Sequence, residues 1–184
     1  AARRQLEARL AQAAADPADA IARRRAAIAQ RLVDSSRYYD IARELGRLVG
    51  RLTVSQGEGG RTVVMTGGGP GIMEAANRGA ADVGAPSVGL NITLPQEQFP
   101  NPYVTPELCF RFRYFALRKL HFALRAQALV VFPGGFGTMD ELAEVLTLRQ
   151  TGKIKKKLPM VLFGSEYWDK VLDMDAMVEW GTIS

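Results

Sequence analysis

The sequence predicts an α/β fold of three layers, a mostly parallel sheet covered on both faces by helices, with extra helices ahead of it. Three observations predict it. Four short β-branched apolar runs end in turn residues, stretches with helical periodicity separate them, and glycine-rich turns follow two of the runs directly. Residues 1–33 are rich in Ala, Arg and Leu, with a break at Asp16-Pro17 where Asp caps a following helix that has Pro at its first position, so two helices are expected there. From Ser35 to Leu52, Tyr39, Ile41, Ala42, Leu45, Leu48 and Val49 recur at helical spacing until SQGEGGR breaks the pattern. TVVMT (62–66) reads as a strand, and GGGPGIMEAANRGAADVG after it as a loop and a helix. PSVGLNI (86–92), ALVVFPGG (128–135) and PMVLFG (159–164) read as further strands, with a helix over Phe110–Ala126 and another in TMDELAEVLTLRQTG.

Composition narrows the chemistry. The chain has 184 residues, 47% hydrophobic and 23% charged, enough apolar surface for one folded core. Its net charge of +5 favours anionic ligands, but the charge is spread too evenly to call for nucleic acid. One cysteine, Cys109, and one histidine, His121, exclude an intramolecular disulfide, a Cys-rich zinc site and a multi-His metal centre. No apolar run is long enough to span a membrane, and the N-terminus alternates charge with alanine, so a reducing, cytoplasmic setting is expected.

Both glycine-rich turns fall where an open parallel sheet gathers its ligands, outside the carboxyl ends of strands and at helix N-termini. Gly67-Gly68-Gly69-Pro70-Gly71 departs from the dinucleotide fingerprint, because Ile72 and Glu74 stand where its third glycine would fall, and it lacks the Lys-Ser/Thr of a Walker loop. The second turn runs Pro133-Gly134-Gly135-Phe136-Gly137-Thr138-Met139-Asp140-Glu141. Its glycines allow close backbone approach to an anion, and Thr138 offers a hydroxyl at the helix start. Thr138-x-x-Glu141 equally fits a capping box, in which both side chains serve only the helix end.

Plotted at 100° per residue, Arg111, Tyr114, Arg118, His121 and Arg125 share one stripe of the helix expected over Phe110–Ala126. Phe112, Phe115, Ala116, Leu120, Phe122 and Ala123 form a broad apolar arc opposite, and Lys119 lies inside that arc. The arc is wide enough to need burial against the sheet or a partner subunit. The stripe fits a solvated face, and Lys119 fits either a snorkelling stem or a site residue.

GGGPGIMEAAN, FRYFALRK, VVFPGGFGTMDE and TLRQTGKI occur in this order, and residues 35–183 resemble the Lonely Guy (LOG) family. Its members are Rossmann-like phosphoribohydrolases that release the base from AMP or its N6-prenylated cytokinin forms; many were labelled lysine decarboxylases. The LNITLPQEQFPNPYV stretch and the extra N-terminal helices are similar to the longer, bacterial-type branch. The resemblance implies Arg118 and Glu141 as the catalytic pair. Gly135, Gly137 and Thr138 match the phosphate-holding loop, while Gly134, Gly68, Gly69, Lys119 and Glu74 complete the implied substrate-binding set. It further implies a nucleoside monophosphate substrate, neither metal nor organic cofactor, and a homo-oligomer, dimer or hexamer. The domain division expected is 1–34 as a helical extension and 35–184 as the Rossmann-like nucleotide-binding catalytic domain. The alternative is a non-catalytic nucleotide carrier or sensor of the same fold.

One departure from the family pattern stands out. The family begins with a buried strand ending in a Gly-Ser turn, and here only Leu32-Val33-Asp34-Ser35-Ser36 occupies that place. A chain break beside Val33 and Asp34 is therefore expected. Chemically, N-glycosidic cleavage builds positive charge on the ribose and negative charge on the base, which suits Glu141 and Arg118 respectively. A carboxylate in the first turn of a helix is held ionised, so Glu141 is expected as a base or cation stabiliser rather than an acid. Arginine keeps its proton, so Arg118 stabilises charge without donating one.

Overall fold

The computed structural model describes residues 2–15, 19–57, 62–94 and 99–183. Two N-terminal helices, α1 (Ala2–Ala15) and α2 (Ala20–Asp34), pack against each other, and α2 buries the small residues Ala22, Ala26 and Ala29. The Asp16-Pro17 break lies outside the described residues. The observed cap of α2 is Asp19, whose carboxylate accepts from the amides of Ile21 (2.8 Å) and Ala22 (3.0 Å), relieving two of the donors that a helix start leaves unpaired.

Helix α3 (Arg37–Ser55) packs closely along α4 (Ile72–Asp82). Two glycines make that approach possible. A Cβ on Gly46 would sit 2.2 Å from the Ala76 carbonyl oxygen, and one on Gly79 only 1.9 Å from that of Arg43. At the rim, Asp82 accepts from Arg43 Nε (2.6 Å) and Arg47 Nε (3.0 Å), which holds its carboxyl below the usual range.

All strand pairings are parallel, as the apolar runs predict. β1 (Val64–Thr66), β2 (Ser87–Ile92) and β3 (Cys109–Phe112) form one sheet in that order, with Val64 opposite Ser87 and Gly89 opposite Cys109. β4 (Leu129–Val131) and β5 (Met160–Leu162) form a second, with Leu129 opposite Met160. The expected single sheet is thus corrected to two. No strand among the described residues joins β1 to β4, because Leu32–Asp34 closes α2 and Ser35-Ser36 forms the turn into α3. The expected break is corrected too. Backbone bonds from Ser35 N to Arg31 O (2.9 Å) and from Ser36 N to Val33 O (3.0 Å) carry the chain continuously through Asp34.

An apolar cluster on α3 ties the halves together. Tyr38 and Ala42 of α3 and Ala75 of α4 pack with Phe132, which follows β4; the Phe132 ring stacks on Phe163 at 4.9 Å and meets Tyr38 edge-on at 6.2 Å. Near the strand starts, Thr62 Oγ1 bonds Gln127 Oε1 at 3.2 Å.

The helix expected over Phe110–Ala126 is corrected as well. Cys109–Phe112 is strand β3, Tyr114 is extended, and α5 covers Phe115–Arg125. Pairing with β2 overrides the helical periodicity there, as tertiary context commonly overrides local propensity. The apolar arc divides accordingly: Ala123 is buried, whereas Phe115, Leu117, Leu120 and Leu124 are all about half-exposed or more. Helices α6 (Phe136–Gln150), α7 (Ser165–Val171) and α8 (Met174–Glu179) complete the fold around Val131, Leu142 and Trp168.

The α3–α4 contact yields a stability test. In Gly79→Ala the gain in helix propensity, about 1 kcal/mol, opposes an overpacking cost of about 1–3 kcal/mol against rigid backbone. Thermal denaturation is expected to show a net loss; a raised melting temperature would mean that the helices separate freely.

Candidate active site

Strands β1 and β4 each deliver the chain through a glycine-rich turn into a helix N-terminus, α4 after the first turn and α6 after the second. Neither helix carries a side-chain cap: Gly71 and Gly135 hold the N-cap positions. Between the turns stands the pair named from sequence. Arg118 Nη2 of α5 donates to Glu141 Oε1 of α6 at 2.6 Å, with 12% of the Arg118 side chain and 25% of the Glu141 side chain exposed. The guanidinium also lies 5.2 Å from the ring centre of Phe115 and 5.8 Å from that of Phe122, which fixes its plane. A Cβ on Gly67 would lie 3.6 Å from Arg118 Nη1, so this arginine borders the first turn as well. Its Nε is buried and has no hydrogen-bond partner. An unpaired buried N–H costs on the order of 1–3 kcal/mol.

The capping-box reading of Thr138 and Glu141 is overturned. Helix α6 starts at Phe136, two residues ahead of Thr138, and the Glu141 carboxylate is turned to Arg118. For the same reason Glu141 lies beyond the first helical turn, and the expectation that the helix N-terminus holds it ionised is corrected. Burial pushes its carboxyl upward, aided by the neighbouring Asp140 charge, while Arg118 and more weakly Lys119 oppose the shift. Burial prevails because one ion-pair contact does not replace the water lost around a carboxylate.

The remaining predicted residues fall into separate contacts. Lys119 Nζ donates to Asp140 Oδ1 at 3.0 Å and lies 3.5 Å from Glu144 Oε2; the Asp140 bond chiefly holds its ammonium above the usual lysine range. It forms a second α5–α6 bridge beside Arg118–Glu141. Glu74 Oε1 accepts from the Tyr39 hydroxyl at 3.1 Å, and no hydrogen bond or ion pair joins it to Arg118 or Glu141. Gly134 is required by packing, since a Cβ there would lie 2.1 Å from Thr138 Oγ1, and its carbonyl accepts from the Tyr167 hydroxyl. Gly135 and Gly137 are different. Neither has positive φ, and a Cβ on either meets nothing within 4 Å, so the fold itself does not require glycine at these positions. Gly68 and Gly69 are buried, and Gly68 has φ +70°, a conformation that favours glycine. His121 bonds the Leu117 carbonyl of its own helix at 2.8 Å and is exposed. Among the described residues no three His, Cys, Asp or Glu side chains gather as a metal site, and no helix is long and apolar enough to cross a membrane.

Sequence reasoning missed Asp140 as the partner of Lys119 and Tyr39 as the partner of Glu74. The signal for Asp140 was present, since it precedes Glu141 just as Lys119 follows Arg118. Tyr39 carries no such signal, because its contact depends on how α3 packs on α4.

Parallel strands, two glycine turns opening helices and a half-buried Arg–Glu pair define a Rossmann-like α/β protein with a candidate site at the carboxyl ends of its strands. Residues 73–184 match the family model described as "Possible lysine decarboxylase". The chain is 31% identical over 152 residues to the cytokinin riboside 5'-monophosphate phosphoribohydrolase LOG3 of Arabidopsis thaliana, covering 81% of this chain and 66% of the relative. It is 32% identical over 151 residues to the phosphoribohydrolase LOG of Oryza sativa subsp. japonica, covering 80% and 57% respectively. The chain thus spans roughly three fifths of these relatives' length. In fold it is similar to the molybdenum cofactor carrier protein of Chlamydomonas reinhardtii, with a TM-score of 0.52, 24% identity and 76% of each chain covered. The chain belongs to the LOG family.

The ion pair gives a pH-dependent prediction. Because the folded state raises the Glu141 pKa, it binds that proton more tightly than the unfolded chain does. Stability from this group is therefore greatest below the unfolded value and is lost as pH rises through the folded one. In Arg118→Met the opposing guanidinium is gone and the folded pKa climbs further. Melting temperatures of wild type and variant are expected to differ least near about pH 4, where the carboxyl is protonated, and most at neutral pH. A difference independent of pH would show that Arg118 acts by packing alone.

Proposed function

We propose that this chain hydrolyses the N-glycosidic bond of AMP or N6-prenylated AMP, releasing the free base and ribose 5-phosphate. The observation that carries the reading is the half-buried Arg118–Glu141 pair between the two glycine turns. Membership of a family whose similar members are named phosphoribohydrolases supports the reaction class. Gly135 and Gly137 support the phosphate contact, since a ligand explains glycines that the fold does not need.

In this reading the phosphate rests on the free amides at the start of α6, beside the Thr138 hydroxyl. Glu141 takes a proton from water as that water adds to C1′, and its negative charge favours the cationic ribose. The electron pair of the broken C1′–N bond passes to the base. Arg118 stabilises this charge through its guanidinium, and the base is protonated by another donor. A carboxyl raised by burial suits Glu141, because a base works best when its pKa approaches the working pH. The exposed apolar side chains Phe115, Leu117, Leu120 and Leu124 lie on the same helix that holds Arg118, and they support assembly of the chain into a homo-oligomer through α5.

Glu141→Gln removes the charge but keeps the volume. Turnover of AMP is expected to fall by roughly two orders of magnitude or more, while AMP still raises the melting temperature of the variant. Adenine release at the wild-type rate would remove Glu141 from the reaction. Wild-type protein that is stabilised by AMP but releases no adenine would instead identify a carrier or sensor. Gly137→Ala provides the independent check on the phosphate loop: its own stability should stay within about 0.5 kcal/mol of wild type, and the stabilisation by AMP should be lost.

A further inference from the structure

Beneath the first glycine turn lies a buried polar network whose members the proposed chemistry does not use. Asn77 and Ser87 have no exposure and Asn101 has 7%. Burying such groups is costly unless every bond is made, and here they are made. Asn101 donates from its backbone N to Gly68 O (2.7 Å), and from Nδ2 to Gly69 O (3.1 Å) and to Asn77 Oδ1 (3.0 Å). Thr66 Oγ1 donates to the same Asn77 oxygen (2.7 Å) and accepts from Gly68 N (3.0 Å). Asn77 Nδ2 donates to Ser87 Oγ (3.0 Å), which donates to Tyr103 O (3.2 Å).

This arrangement has a directional consequence. No cis peptide is present, and in a planar trans peptide the C=O and the following N–H point opposite ways. With Gly68 O held against Asn101, the Gly69 N–H points away from the network. The next peptide ends in Pro70, which has no N–H, so its carbonyl is fixed by Asn101 without presenting a second donor. We infer that Asn101 is a positioning residue that fixes both peptides flanking Gly69, through its backbone N on Gly68 O and through its Asn77-braced Nδ2 on Gly69 O, and so holds the Gly69 amide pointing out of the turn as a hydrogen-bond donor for the nucleoside monophosphate. The inference rests on the reading above for its ligand and extends it to residues that never touch that ligand.

Two variants separate positioning from mere stability. Asn101→Asp places an oxygen where Nδ2 faced two acceptors, which repels the Gly69 carbonyl and frees the second of the two peptides that flank Gly69, while the backbone bond to Gly68 O and the Tyr103 amide bond to Oδ1 remain. Asn77→Asp also buries a carboxyl but retains the acceptor for Asn101 and Thr66. Asn101→Asp is expected to raise the KM for AMP about tenfold, with kcat changed less, whereas Asn77→Asp stays within about threefold of wild type at comparable melting temperature. Equal KM changes in the two variants would overturn the inference. Amide NMR of wild type with AMP gives the second readout, in which the Gly69 signal should shift. If AMP moves the Gly135 and Gly137 amides but leaves Gly69 unmoved, the inference fails while the nucleotide reading stands. If AMP moves none of them, both fail.

Discussion

The site depends on one contact, the Arg118–Glu141 ion pair. Its partners stand on helices packed against different sheets, α5 on the three-stranded sheet and α6 beside β4 of the two-stranded one. Lys119 adds a second bridge to Asp140, and the α3 cluster of Tyr38, Ala42 and Phe132 also ties the two halves together. A half-buried ion pair is a poor source of net stability, because desolvation offsets the attraction, but it is directional. Here its direction brings a permanent cation and a carboxyl of raised pKa to the same opening.

The same economy explains the arginine environment. Phe115 and Phe122 flank the guanidinium, Glu141 holds one Nη2 bond, and the buried Nε is left without an acceptor. A side chain serving only as a structural link would be expected to have all its buried donors paired, since each orphan costs stability. The Asn77–Ser87–Asn101 network shows that this fold does complete its buried polar bonds elsewhere. Incomplete pairing at Arg118 is thus a local exception among the described residues.

Much of the fold was legible in the sequence because its signals are local. The runs TVVMT, PSVGLNI, ALVVF and PMVLF contain β1, β2, β4 and β5, since β-branched apolar runs cut by glycine or proline leave few other structures open. The motifs around Arg118 and Glu141 identified the pair, and the structure places the two in contact. Phe110–Phe112 reads as helix from sequence because its aromatic and arginine alternation also fits helical spacing over so short a stretch, and only pairing with β2 decides for strand. The start of α6 was misplaced because Thr138 and Glu141 carry a capping signature that glycine at the true N-cap does not.

The sequence by itself determined the α/β class, the parallel strands and the two glycine turns, which follow from local spacing and composition, whereas the charged pair was implied by the resemblance to the LOG family. Only the tertiary structure decided which partners those residues take. It divided the strands into two sheets, gave Lys119 to Asp140 and Glu74 to Tyr39, and turned Asn101 beneath the first glycine turn. It also raised the Glu141 carboxyl above its usual range, because loss of surrounding water outweighs the nearby arginine. Burial and long-range contacts are properties of how elements pack, and no local pattern in the chain encodes them.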